Sequence, residues 1–157
     1  MATPGDAAAT AANVAHDLGA HLSGNGFRFH HIGVIVRDLA EASTVYGLLG
    51  FGQGHEEDVP SQGVRVLLIP TAQADQYIEL FAPTTEGSLT RYLEKRGEGV
   101  HHIAFAVHDI RAALEQLREN SVRLVDDAPR AGAHGWSVAF LHPTAAAGVL
   151  IELVQTE

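Results

Sequence analysis

The chain has 157 residues, a formal net charge of −9, ten histidines and no cysteine. A length in this range favours one domain. The lack of cysteine excludes a disulfide framework, a thiolate-held zinc or iron–sulfur cluster and a cysteine nucleophile. Any bound metal would therefore be held by imidazole and carboxylate groups, and ten histidines make such a site worth seeking.

The charge balance and the hydropathy argue against two classes of partner. Nucleic-acid binding needs a surplus of Lys and Arg to replace counterions along the phosphates, whereas here 19 acidic residues stand against 10 basic ones. No window approaches the roughly 18 consecutive apolar residues of a membrane span. We therefore expect neither a nucleic-acid partner nor membrane insertion.

Residues 1–26 differ in composition from the rest of the chain. They are rich in Ala, Thr, Gly and Asn, and no Arg or Lys precedes Arg28. This composition lacks the basic start of a secretory signal and the arginines of a transit peptide. We expect a disordered or loosely helical extension at residues 1–26, a single domain at residues 27–157 and a cytoplasmic location.

Two pairs of segments repeat within this domain in the same order. Residues 30–39 match residues 101–110 at an offset of 71 (101 − 30), sharing His, His, Ile, Val and Asp. At an offset of 73 (143 − 70), both copies contain Pro-Thr-Ala followed by Ile-Glu-Leu. The matches indicate a duplicated strand–helix–strand–strand–strand unit. The two half-modules are predicted near residues 28–84 and 99–155.

In chain order, each half begins with a β-rich apolar run and then reaches an Asp that can cap a helix. These residues are Asp38 and Asp109. Between the halves, Ser88 predicts the N-cap of a connecting helix that ends at Gly97. The apolar positions of the two main helices are Leu39, Ala42, Tyr46 and Leu49, then Ile110, Ala113, Leu114 and Leu117. Later strands are predicted at residues 64–69, 76–81, 136–141 and 149–154.

The duplication makes a His on the first strand and a Glu on the last strand of each half equivalent about a pseudo-twofold axis. If the sheets curve around that axis, two imidazoles converge with Glu79 and Glu152. Such a donor set suits a divalent ion that tolerates five or six ligands and keeps two positions for a substrate. Strand alternation alone leaves open which member of each His-His pair faces inward.

Several longer motifs resemble one known family. They are His31-Ile-Gly paired with His102-Ile-Ala, residues 77–83 (YIELFAP), residues 130–135 (RAGAHG), and residues 140–143 (FLHP) leading into residues 148–153 (GVLIEL). Together they resemble the methylmalonyl-CoA epimerases of the vicinal oxygen chelate superfamily. The similarity covers about residues 29–155.

This resemblance implies an α+β fold in which two tandem βαβββ modules form curved mixed sheets around one metal site. The expected ion is divalent, with Co²⁺ favoured and Mn²⁺, Ni²⁺, Zn²⁺ or Mg²⁺ as alternatives. The implied ligands are His31, Glu79, His102 and Glu152. The implied reaction interconverts the (R) and (S) forms of methylmalonyl-CoA through an enolate, with Glu152 as an acid/base. Family members often form dimers, so a homodimer is one expected assembly.

The sequence offers several candidates for the second acid/base. Relatives commonly carry Glu or Lys on the strand where this chain has Arg65, which stays protonated and would act as a fixed charge beside an enolate. Glu56 and Glu57, in the predicted loop before that strand, are the other candidates. His134, Gly135 and Arg130 are expected to bind substrate. Cations available for the CoA phosphates are Arg91, Lys95, Arg96, Arg123 and Arg130.

Fold and metal do not by themselves identify the substrate. A glyoxalase I-like lyase acting on a glutathione hemithioacetal, or an epimerase of another acyl-CoA, would use the same scaffold. A non-catalytic ligand-sequestering module is disfavoured because such proteins usually lack the metal ligands. A dioxygenase is disfavoured because its iron site keeps two His and one carboxylate.

Overall fold

The computed structural model describes residues 27–157, and the extension predicted at residues 1–26 lies outside the described residues. Each half has the order strand, helix, strand, strand, strand, and a third helix connects the halves. The elements are β1 (Arg28–Ile35), α1 (Leu39–Leu48), β2 (His55–Val59), β3 (Val64–Pro70), β4 (Tyr77–Pro83), α2 (Ser88–Arg96), β5 (Gly99–Ala106), α3 (Ile110–Glu119), β6 (Arg130–Ala131), β7 (Ser137–Leu141) and β8 (Ile151–Gln155).

The strands form one eight-stranded mixed sheet in the order β2-β3-β4-β1-β5-β8-β7-β6. The first strands of the halves, β1 and β5, pair antiparallel at its centre, and each runs parallel to the last strand of its own half. The two ends of the sheet lie close together. Gln62, in the β2–β3 turn at one end, donates a hydrogen bond of 3.1 Å from Nε2 to the carbonyl of Ala131 in β6, at the other end. The sheet is therefore curled, and the predicted α+β fold of two βαβββ modules is confirmed.

Strand alternation separates an outer face, covered by α1 and α3, from the inner face of the curl. On the outer face, α3 buries Ile110, Ala113, Leu114 and Leu117 against the second half. On the inner face, Val59, Val64, Val66 and Phe81 form a buried cluster in the first half. The inner cluster of the second half contains Ala104, Val138, Phe140 and Val154. These inner clusters flank the site that the two halves build together.

The helix ends test the predicted capping residues. The side chains of Asp38 and Asp109 accept hydrogen bonds from Glu41 N at 2.9 Å and Ala112 N at 3.0 Å, as expected of N-caps. The prediction for Ser88 is wrong by one residue, since α2 begins at Ser88 and its N-cap is Gly87.

The C-terminal ends of α2 and α1 test two further predicted helix residues. Gly97 ends α2 as predicted, with φ near 77° and its N–H bonded to the Leu93 carbonyl. Leu49 does not belong to the packed face of α1, since it caps the C-terminus with 68% of its surface exposed.

Within residues 27–157 no helix is long and apolar enough to cross a membrane.

Candidate metal centre and active-site cleft

Each central strand carries an extra residue at its double histidine. Where β1 pairs with β5, Phe29 lies opposite Phe105 and His31 opposite Ala104, so His30 has no partner in the register. By the same count, His101 is the extra residue of β5. A bulge of this kind re-aims a side chain that strict alternation would send to the other face. The bulges therefore explain how both histidines of each pair contribute to one site.

The four predicted ligands meet on the inner face of the curl. His31 Nε2 lies 2.6 Å from Glu79 Oε2 and 3.1 Å from Glu152 Oε2. His102 Nε2 lies 3.0 Å from Glu152 Oε2 and 3.1 Å from His31 Nε2. His31, His102 and Glu152 are buried, and Glu79 is largely so. One donor atom from each residue lies within 4.8 Å of all the others.

The neighbouring histidines fix the orientation of these imidazoles. His30 Nδ1 lies 2.8 Å from His31 Nδ1, and His101 Nδ1 lies 3.0 Å from His102 Nδ1. With each Nε2 facing the cluster, the Nδ1–H of His31 or His102 donates to its neighbour, which leaves the Nε2 lone pair free to bind a metal. Burial, reinforced by the adjacent imidazole, lowers the pKa of His30 and of His101 to about 4, so both stay neutral acceptors.

Gly33 makes room for one of the ligands. A Cβ atom at this position would lie 2.1 Å from His102 Cε1 and 2.4 Å from His102 Nε2. Any side chain at this position would therefore displace the imidazole of His102 from the cluster. The close approach gives a physical reason for glycine in the His31-Ile-Gly motif.

Burial and charge compete within the cluster. Burial lowers the pKa of His31, but the carboxylates of Glu152 and Glu79 beside its Nε2 outweigh it and raise that pKa to about 9. The same competition, with Glu152 as the main opposing charge, raises the pKa of His102 to about 10. Burial raises the pKa of the two carboxyls, but the imidazoles outweigh it and hold both below their usual range. Two buried carboxylates therefore need about two positive charges nearby to compensate their own charge.

A divalent cation held by these four side chains would supply that positive charge. Glu152 Oε2 is buried and makes no hydrogen bond to any residue of 27–157, although it lies within about 3 Å of both imidazole Nε2 atoms. Two imidazole nitrogens and two carboxylate oxygens form the borderline-to-hard donor set that first-row divalent metals accept. The residues of the cluster therefore fit a divalent ion.

A cleft of about 440 Å³ opens onto the cluster, with Glu79, His102 and Glu152 in its lining. Its other lining residues include Gln62, Phe81, Leu89, Tyr92, Arg130, Phe140 and Leu150. An apolar cleft with a few polar groups and a charged cluster is typical of a small-molecule site.

One predicted substrate-binding residue lines this cleft, and two do not. Arg130 does so, with its guanidinium 5.2 Å from the Phe140 ring centroid and its Nε 3.3 Å from Asp126 Oδ1. His134 and Gly135 lie in the short 3₁₀ turn Ala133–Gly135 before β7, and Gly135 borders a separate surface depression. The His134 side chain is mostly enclosed and contacts Glu57 instead.

The structure does not bring Arg65 to the site, which corrects the expectation that it is a catalytic charge. Its Nε and Nη2 donate to the Asp58 carboxylate at 2.7 and 3.1 Å, on the exposed side of the β2–β3 pair. Val64 and Val66, on either side of it, belong to the inner cluster, so alternation turns Arg65 outward. Glu56 also lies outside, with Oε1 3.6 Å from Arg65 Nε.

Sequence reasoning missed the supporting role of His30 and His101. The signal was present, because both histidines of each pair recur at the same offset in the two halves. Alternation suggested that one of each pair must face away, and only the bulges remove that restriction. Glu57 was placed in a loop, whereas it lies in β2, paired with Val66 of β3.

Comparison with known proteins agrees with this geometry. The sequence profile of the glyoxalase/bleomycin resistance protein/dioxygenase superfamily matches residues 30–140. The chain therefore belongs to that superfamily.

Individual relatives narrow the class further. The chain is 40% identical over 132 residues to the ethylmalonyl-CoA/methylmalonyl-CoA epimerase of Cereibacter sphaeroides, covering 82% of this chain and 97% of the relative. It is 32% identical to the mitochondrial methylmalonyl-CoA epimerase of Bos taurus, covering 99% of this chain and 89% of the relative. A Streptomyces coelicolor methylmalonyl-CoA epimerase variant, solved with 2-nitronate-propionyl-CoA, superimposes with a TM-score of 0.77 at 39% identity, covering 82% of this chain and 94% of the other. Within the superfamily, the chain belongs to the methylmalonyl-CoA epimerase family.

Proposed function

We propose that this protein is a metal-dependent epimerase that interconverts the (R) and (S) forms of methylmalonyl-CoA. The observation that carries the proposal is the buried His31, Glu79, His102 and Glu152 cluster at the lining of an apolar cleft. Relatives named as epimerases of this substrate support it. The reaction class is isomerisation by removal and return of the proton on the α-carbon.

The cluster residues would hold the divalent ion. When bound, that ion supplies Lewis-acid stabilisation of the charge that develops as the α-proton leaves. His30 and His101 keep the two imidazoles oriented for this task through the Nδ1 contacts. The largely apolar lining of the cleft lowers the local polarity, which strengthens these electrostatic interactions.

Glu152 is the proposed acid/base on one face of the α-carbon. Its carboxylate lines the cleft, whereas the inner residues beside it on β7 and β8 are apolar. The contacts with His102 and His31 keep it ionised and able to accept a proton. In the reverse direction the protonated carboxyl returns the proton to the same face.

Arg130 is the proposed contact for the anionic substrate, since its guanidinium lies in the cleft lining and is exposed. The α2 residues Arg91, Lys95 and Arg96 are exposed on the helix whose Ser88, Leu89 and Tyr92 line the cleft, so they are proposed to meet the CoA phosphates. His134 and Gly135 are the remaining proposed substrate contacts, in the turn before β7.

Several finer statements belong to the proposal alone. We take Co²⁺ as the first ion to test, because five- or six-coordinate N and O sites accept it. A homodimer, a cytoplasmic location and the lack of a nucleic-acid partner remain predictions from the sequence. Ethylmalonyl-CoA is a second candidate substrate, because the Cereibacter sphaeroides relative is named for both acyl groups.

The test is α-proton exchange in deuterated buffer with the Co²⁺-loaded protein. The panel comprises methylmalonyl-CoA, ethylmalonyl-CoA, propionyl-CoA and the hemithioacetal of glutathione and methylglyoxal. We expect exchange and inversion with methylmalonyl-CoA, and no exchange with propionyl-CoA, which lacks the α-carboxylate that would supply a second oxygen to the metal. Turnover of the hemithioacetal alone would assign the lyase reaction instead.

A further inference from the structure

A second group of potential metal ligands lies outside the metal centre. It consists of His55 and Glu57 of β2 and His134 of the turn before β7, and one donor atom from each lies within 4.8 Å of the other two. Two of the three donors are imidazoles, and the third is a carboxylate. We call this group the edge cluster, because its residues come from the two ends of the sheet.

The strand pattern puts two of these side chains on one face. His55 and Glu57 are two residues apart in β2, so their side chains point the same way. β2 is the terminal strand at one end of the sheet, and the turn Ala133–Gly135 connects β6 and β7 at the other end. The curl of the sheet therefore brings His134 to the β2 residues, although Glu57 and His134 are 77 positions apart in the chain.

The donors have the spacing of ligands around one ion. Glu57 Oε2 lies 3.0 Å from His134 Nδ1. Nitrogen and oxygen ligands at about 2.0 to 2.2 Å from a zinc ion lie about 3 Å or slightly more from each other. The ring centroids of His55 and His134 are 5.3 Å apart, which is also the separation of the two ligand imidazoles in the metal centre. The edge cluster thus repeats the ligand spacing of the centre.

The surroundings hold two of the ligands in place without an ion. Glu57 Oε2 accepts the His134 backbone N–H at 2.8 Å, and a carboxylate has further lone pairs for a metal. His134 has φ near 56°, in the left-handed region that non-glycine residues rarely adopt. The adjacent Ala133 packs against the inner cluster of the first half. Strained residues that their surroundings hold in place are concentrated at functional sites.

Access and protonation also favour ion binding. His55 is exposed whereas the His134 side chain is mostly enclosed, so the edge cluster opens to solvent on the His55 side. Burial, only partly opposed by Glu57, lowers the pKa of His134. The ring is therefore neutral near pH 7, as a metal ligand must be. An ion that takes the Nδ1 lone pair leaves the ring proton on Nε2.

The donor types select the class of ion. Two imidazoles and one carboxylate are the protein ligands of many three-ligand zinc sites, which keep the fourth position for water. The edge cluster has one carboxylate where the metal centre has two, so it suits an ion that accepts mainly nitrogen donors.

We propose that the edge cluster is a second metal site, which binds Zn²⁺ and links β2 to the turn before β7. This site goes beyond the proposed epimerase function and does not depend on it. An ion held by both ends of the sheet stabilises the closed curl, because it binds the folded chain in preference to the unfolded one.

The first test counts the Zn²⁺ equivalents bound by the metal-free protein, by titration calorimetry and by metal analysis after dialysis. We expect His55→Ala to bind one equivalent fewer than the wild type, because the site loses one of its three ligands. The matched control is His108→Ala, at an exposed histidine after β5 that belongs to neither ligand group found among residues 27–157. It should bind as many equivalents as the wild type. Thermal unfolding of the metal-free variants checks that each one folds.

A cysteine in place of His55 tests ligation directly. The chain contains no cysteine, so a thiolate-to-Co²⁺ charge-transfer band in the near ultraviolet would arise only from an introduced residue. Because a cysteine thiolate ligates such ions, we expect this band in His55→Cys and not in the control His108→Cys. The further change Glu57→Gln should raise the Co²⁺ concentration at which the band appears, because it removes a charged ligand.

The outcomes decide the assignment. Equal numbers of Zn²⁺ equivalents in the wild type and in His55→Ala would overturn the second site. Bands of equal strength in His55→Cys and His108→Cys would show binding by an isolated thiol only and would also overturn it. A band in His55→Cys that Glu57→Gln does not alter would overturn the proposed ligand set.

Discussion

At the centre of the sheet, the two halves of the molecule contribute matching pieces. Each supplies a double histidine at a bulge and a glutamate from its last strand, and the four ligand side chains meet at one point. At the edges the halves differ. β2 has five residues and carries Glu57, whereas β6 has two and leads into the turn that carries His134. The repeat supplies the convergent donors that a cation needs, whereas the edges of the two halves present different groups.

Metal removal should break the shared centre and have the largest effect. We expect a chelator to reduce epimerisation by about 10³-fold or more, since the Lewis acid contributes several kcal/mol to the transition state. Added Co²⁺ should restore the rate. The measurement is inversion of methylmalonyl-CoA followed by circular dichroism, with metal content determined in parallel. Full activity in metal-free protein would contradict the mechanism.

Glu152→Gln and Glu79→Gln test whether the two halves are equivalent in chemistry as well as in geometry. Glu152→Gln should lower exchange from one epimer by about 10²- to 10⁴-fold, because it removes a base as well as a charge. Glu79→Gln keeps an oxygen ligand and should chiefly weaken metal binding. Titration calorimetry with Co²⁺ separates the two effects. Equal loss of exchange in both variants would show that Glu152 has no special role.

His30 and His101, which contact the Nδ1 atoms of the ligands His31 and His102, should contribute about equally to metal binding. His30→Leu and His101→Leu each remove the acceptor of one ligand's Nδ1–H, and we expect each to lower Co²⁺ affinity by about 10- to 100-fold. Similar losses are expected because the two contacts are equivalent. Competition with a chelating dye measures the affinity, and thermal unfolding checks that both variants fold. Unchanged affinity in either variant would remove that histidine from the site.

The metal-free protein should show a pH dependence of stability that the loaded protein lacks. The pKa of His31 is raised from 6.5 to about 9 and that of His102 from 6.5 to about 10. The stability from these imidazolium–carboxylate contacts is complete below pH 6.5 and is lost as the pH rises through 9 to 10. The thermal midpoint should fall over that range without metal and much less with Co²⁺. A flat metal-free profile would contradict this prediction.

The smallest effect is expected at Arg65, on the outer side of the first half. Arg65→Ala should leave turnover unchanged because, within the described residues 27–157, the ion pairs of its guanidinium are with exposed carboxylates of β2. Arg130→Ala is the matched variant inside the cleft and should raise the KM for methylmalonyl-CoA. Steady-state kinetics distinguishes the two arginines. A large loss of kcat in Arg65→Ala would return that residue to the active site.

The placement of Arg65 shows the limit of reasoning from one strand. The sequence identified the strand and the cation correctly but could not determine its face, because a short apolar run permits either register. The inward packing of Val64 and Val66 decides it. The same uncertainty affected the double histidines, whose faces strand alternation left open, because a bulge overrides the simple alternation there.

The sequence by itself determined the duplication, the βαβββ order of each half and the convergence of one histidine from each pair with Glu79 and Glu152, because equivalent residues in a repeat occupy equivalent places. The choice of His31 and His102 within the pairs came from the family resemblance. The tertiary structure alone decided which histidines support the ligands, which arginine lies in the cleft and how Glu57 meets His134. The contact between Glu57 and His134 joins residues 77 positions apart in the chain. It arises from the curl of the sheet, which brings its two ends together, and no local pattern encodes that contact.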